Sequence, residues 1–101
     1  MESGVPEATV AVTVLIPGVL RGECGGASVL TVRSAPVLRA LLDELASGYP
    51  RLHRRIRSEQ LEIRPYVNIY VDGEDCRSIG LLDAPLRVGS EVQILPSVAG
   101  G

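Results

Sequence analysis

The sequence predicts an α+β fold: a mixed sheet of four to five strands around one main helix. Three observations predict it. Two β-branched alternating segments lie near the N-terminus, one leucine stripe at helical spacing follows, and further alternating segments close the chain, one ending in Asp72-Gly73. The 101 residues fit a single domain, expected over 9–96 between a flexible stretch, 1–8, and a C-terminal tail, 97–101. Hydrophobic residues make up 46% of the chain, enough for a core without disulfides or metals. With three Tyr and no Phe or Trp, Val, Leu and Ile must fill that core.

Thr9–Ile16 alternates with Val10, Val12, Val14 and Ile16 on one side, the period-two pattern of a half-buried strand. Pro17-Gly18 ends it, and the Gly-rich run Gly22–Gly26 reads as a loop. Ala27–Val32 is a second strand, with Val29 opposite Leu30 and Val32. Ser34 is placed as a helix N-cap with Pro36 in the first turn. Leu38, Leu41, Leu42 and Leu45 then form one apolar stripe, Gly48 is a C-cap candidate, and Pro50 stops continuation.

Arg51–Arg64 is charged, with Leu52, Ile56, Leu61 and Ile63 as anchors, and reads as a short helical turn followed by a loop. Val67–Val71 alternates again, and Asp72-Gly73 is a hairpin turn that returns into a short strand at Asp75–Arg77. Leu81 and Leu82 are expected over the core. Val88-Gly89-Ser90 turns into the last strand, Glu91–Leu95, with Val92 and Ile94 inward, and Pro96–Gly101 is a tail. Two hairpins flanking one helix pack most simply as a β-grasp.

Composition excludes several functions. A net charge of -2 speaks against nucleic acid, whose phosphates demand a basic excess. All ten basic residues are Arg, so no Lys can form a Schiff base or a phosphate-loop contact, or accept an isopeptide. No run reaches the roughly 18–20 apolar residues that span a bilayer, and Met1–Pro6 lacks a signal-peptide pattern, so no membrane and a cytoplasmic location are expected. Cys24 and Cys76 form no CxxC and no metal set, and a plant-type iron–sulfur cluster would need four thiolates.

The C-terminal Gly100-Gly101 bears on function. An enzyme acting on a terminal carboxylate must enclose the last residues, and glycine can thread and bend where a Cβ would clash. By itself a Gly-Gly end also fits fraying. Its position just after the last strand of a β-grasp is what makes it specific. VNIYVDGEDCR together with VGSEVQILPSVAGG, and the opening VTVLIPGVLR, resemble the ubiquitin-like sulfur-carrier family of ThiS/MoaD type, in particular its cysteine-biosynthesis branch. The resemblance covers roughly 9–101, and is poorest over Arg51–Pro65.

That resemblance implies a carrier, not an enzyme. Gly101 would be adenylated by a ubiquitin-activating-type enzyme using ATP, and converted to a thiocarboxylate with sulfur from a donor such as a rhodanese. Gly100, Ala99 and Val98 would thread into that enzyme, and the carrier itself would bind no cofactor. A PLP-dependent cysteine synthase, or another sulfur-accepting synthase such as one for a thiosugar, would take the sulfur. A JAMM-type metalloprotease would release the cysteinyl adduct. A ubiquitin-like modifier and a passive interaction domain are the competing readings.

Alternation places Val12, Val14, Val67, Ile69, Val92 and Ile94 in the core, and therefore Leu15, Tyr70 and Leu95 on the outer face, a candidate docking patch beside the tail. Arg51, Arg54, Arg55 and Arg57 read as a solvated helix face and His53 as a surface residue within it. Cys24 and Cys76 read as structural thiols, Tyr49 and Tyr66 as packing residues at element ends. Adjacent Glu74 and Asp75 would point to opposite faces, a poor acid–base pair.

Overall fold

A computed structural model describes residues 8–96. Strands β1 (Val10–Leu15), β2 (Val29–Ser34), β3 (Val67–Val71), β4 (Glu74–Asp75) and β5 (Glu91–Pro96) form one sheet in the order β2-β1-β5-β3-β4. The central pair β1 and β5 is parallel, with Val14 opposite Val92, and the other neighbours are antiparallel. Helix α1 (Leu38–Gly48) is the main helix expected. A second, α2 (Pro50–Ile56), follows at once.

The period-two pattern sorts the strands cleanly. Val12, Val14, Val67, Ile69, Val92 and Ile94 are fully buried, and join Leu38, Leu41, Leu42 and Leu45 of α1 with Leu52 and Ile56 of α2 in one core. Each such side chain contributes on the order of 1.5–3 kcal/mol by leaving water.

Local signals fared less well at the ends of elements. Ser34 does not cap α1: it ends β2, and its hydroxyl donates to the Ala35 carbonyl. Val37, extended, precedes the helix, and the Leu38 amide donates to the Ala84 carbonyl while the Leu86 amide donates to the Pro36 carbonyl. Backbone from a distant segment thus satisfies a helix-terminal donor that a side chain was expected to cap. Gly48 lies inside α1, not beyond it, and Tyr49 follows as the cap. Pro50 starts α2, where its missing N–H is not needed.

The run around Gly22–Gly26 is not a plain loop. A 3-10 helix, Gly18–Cys24, buries Leu20 and Cys24, and left-handed Gly25 ends it. The short return strand is Glu74–Asp75, and a 3-10 turn, Cys76–Ser78, continues from it, with Asp75 accepting from the Arg77 amide. Leu82 packs against the core as expected, but Leu81 is half-exposed with φ 56° and does not. Tyr49 packs against the core and Tyr66 does not, being 48% exposed.

The hairpin turn is tied to β5. Asp72 and Gly73 both have positive φ, 50° and 89°, the requirement of a type I′ turn. The Asp72 carboxylate accepts from the Glu91 amide at 2.8 Å and from the Ser90 hydroxyl at 2.9 Å. Ser90 Oγ in turn accepts from the Arg87 amide. One carboxylate thereby joins the β3–β4 turn to the start of β5.

Candidate functional site

The sheet has one covered face and one open face. On the open face Leu15 of β1 and Tyr70 of β3 both pair with Gln93 of β5, one from each side. Leu95, one pleat further along β5 and opposite Asn68, is 37% exposed, while Leu15 and Tyr70 are half-buried. The expected trio therefore shares one face. Gln93 was missed, although its outward position follows from the alternation of β5: seeing that it separates Leu15 from Tyr70 required knowing that β1 and β5 are parallel neighbours.

Toward the C-terminal ends of β1 and β5 this face deepens into a shallow cleft of about 350 Å³, lined by Leu15, Pro17, Arg21, Val29 and Leu95 among others. Arg21 Nε donates to the Ile16 carbonyl at 3.0 Å, holding its stem along the wall. Pro96 ends β5 opposite Val67, one residue beyond Leu95 of this cleft. Gly101, Gly100, Ala99 and Val98 lie outside the described residues. The arrangement offers apolar contact and one guanidinium.

The other candidate residues fall elsewhere. Cys24 and Cys76 are buried, free thiols. Burial, then the Asp75 charge, pushes the Cys76 thiol above its ordinary value, which favours the unreactive form. Cys24 Sγ lies 3.5 Å from the Ala27 carbonyl oxygen and 3.6 Å from that of Arg21. Among the described residues no group of three His, Cys, Asp or Glu is placed to hold a metal, and no helix is long and apolar enough to cross a membrane.

The basic run is not one solvated face. Arg51 and Arg55 reach back to Glu23 at 3.1 and 3.6 Å, and are exposed as expected. Arg57 is 2% exposed and His53 9%, so neither is a surface residue. Arg57 Nε donates to His53 Nε2 at 2.8 Å, and its NH2 group donates to Asp43 Oδ1 on α1 at 2.7 Å. Burial, followed by the Arg57 charge, lowers the His53 pKa below its ordinary value, with Asp43 opposing. The one-dimensional pattern could not show this, because Asp43 lies fourteen positions away on another helix.

The fold and the open face define a small ubiquitin-like β-grasp protein with an apolar patch at the root of its C-terminal segment. The chain belongs to the ThiS family, whose model matches residues 14–101. It is 38% identical over 92 residues to the sulfur carrier protein CysO of Mycobacterium tuberculosis, covering 89% of this chain and 98% of that one. A chain in the crystal structure of the Amycolatopsis orientalis BexX/CysO complex superposes with a TM-score of 0.81 at 34% identity, over 90% of this chain and all (100%) of that one. The small archaeal modifier protein 1 of Methanosarcina acetivorans gives 0.79 at 27% identity, over 93% and 99%.

Proposed function

We propose that this protein is a sulfur carrier, a protein cosubstrate whose Gly101 carboxylate is the reactive group. The observation that carries the reading is the position of the apolar patch of Leu15, Tyr70 and Leu95, at the end of β5 in a chain whose family match runs through Gly101. A partner seated on that patch receives the tail directly, with Val98, Ala99 and Gly100 threading into its channel.

A carboxylate is a poor electrophile, so activation comes first. The Gly101 carboxylate attacks the α-phosphate of ATP in a ubiquitin-activating-type enzyme, releasing pyrophosphate and forming an acyl adenylate. A sulfide equivalent attacks the acyl carbon and expels AMP, leaving a thiocarboxylate. Its sulfur then attacks the acceptor held by a synthase. The sequence resemblance to the cysteine-biosynthesis branch favours a PLP-dependent cysteine synthase as acceptor, with a JAMM-type metalloprotease releasing the product. Another sulfur-accepting synthase, such as one making a thiosugar, is the alternative route.

Intact mass after incubation with activating enzyme, ATP and sulfide tests the carrier. The expected result is one oxygen-for-sulfur exchange at Gly101, absent when Gly100 and Gly101 are deleted. No exchange, with isopeptide adducts on other proteins instead, overturns it in favour of a modifier, a second reading favoured by the likeness to small archaeal modifier protein 1.

A further inference from the structure

His53 lies in α2 and Arg57 is the extended residue that caps its C-terminal end, and both are buried. Because Arg57 Nε donates to His53 Nε2, that nitrogen must carry its lone pair, and the ring is neutral with its proton on Nδ1. Arg57 completes the cluster by its bond to Asp43, which joins α2 to α1.

Arg57 is also the root of a closed loop. Its backbone pairs with Ile63, the Ser58 amide donates to the Glu62 carbonyl, and the Arg64 amide donates to the Ile56 carbonyl at 2.9 Å. At the tip Leu61 is half-exposed with φ 64°, a left-handed conformation that strains a leucine. Behind the loop a cavity of about 210 Å³ is lined by His53, Arg54, Arg57, Glu59 and Arg64. The loop is therefore strained at its tip and closed by backbone bonds at its base, where the Arg57 side chain donates to a neutral imidazole.

We infer that His53, Arg57 and Asp43 form a proton-sensitive latch: a proton bound at His53 Nε2 expels the Arg57 guanidinium and frees the 57–64 loop. The protonated ring would set an N–H against the Arg57 N–H, two cations in contact within a buried pocket, so the existing bond cannot persist. The groups that bear on His53 from each packed element are few. Asp43 of α1 favours the proton, whereas Arg57, just beyond α2, and Arg54 of α2 oppose it. Glu59 and Arg64 from the following loop share the cavity, and Glu23 of the 3-10 helix is engaged by Arg51 and Arg55. Release would loosen Ile63 from the core edge it packs against, while the sheet stays in place.

The sign follows from linkage. A histidine whose folded pKa lies below its free value binds fewer protons when folded, so the latch is complete above about 6.5 and is lost as pH falls through the folded value. Amide exchange of the intact protein at pH 7.5 and 5.5, corrected for intrinsic rates, reads this directly. Protection at Ser58 and Arg64 is expected to fall severalfold at the lower pH, with Val14 and Ile69 unchanged. In His53→Gln, which keeps an acceptor but does not titrate, both sites should exchange independently of pH. An equal loss in His53→Gln overturns the latch. So does nitrogen NMR placing the His53 proton on Nε2 at pH 7.5.

Discussion

Leu15 and Tyr70 face each other across Gln93, the residue of β5 that pairs with both. Two strands far apart in sequence thereby build one surface, because β5 runs parallel to β1 and antiparallel to β3. That central strand ends at Pro96, the last of the described residues.

If the surface seats the activating enzyme, replacing Tyr70 and Leu95 together by Asp should raise the KM for adenylation about tenfold or more, with kcat nearly unchanged. A buried aromatic anchor carries binding energy of that order. Circular dichroism verifies folding, since both side chains lie outside the core. An unchanged KM in the folded double mutant removes the patch from the proposal.

The Asp72 carboxylate should be a structural control unconnected to docking. Asp72→Ala removes acceptors for the Glu91 amide and the Ser90 hydroxyl, and places alanine at φ 50°. A loss of about 1–3 kcal/mol is expected in urea denaturation. Sulfur loading, measured well below the midpoint, should be retained.

Cys76 should resist alkylation in the native protein at pH 8, reacting at the rate of the model thiol only after denaturation. Burial holds the thiol protonated. The sign carries a stability consequence. The folded state keeps a proton that the unfolded chain gives up, so stability falls as pH rises above the ordinary thiol value. Iodoacetamide labelling with mass analysis checks the rates, and rapid native labelling of Cys76 contradicts the assignment of a structural thiol.

Sidedness was the most legible property of the sequence. A period of two in β1, β3 and β5, and the leucine stripe of α1, place the buried set and the outer trio without further information. Boundaries were less legible, because partners far along the chain decide them. The start of α1 is set by the Ala84 carbonyl, not by Ser34, and Arg57 is buried because Asp43 meets it from another helix. A charged residue surrounded by charged neighbours reads as solvated until its partner is known.

The chain by itself therefore determined the β-grasp order, the apolar core, the outward trio and the Gly100-Gly101 end, since each depends on side-chain period or on residue type alone. Only the tertiary structure decided that Gln93 lies between Leu15 and Tyr70, that the cleft opens where β5 ends, and that His53, Arg57 and Asp43 form one cluster. These are relations between segments. They arise from strand pairing and helix packing, whose free energy belongs to contacts across the fold rather than to any local stretch of sequence.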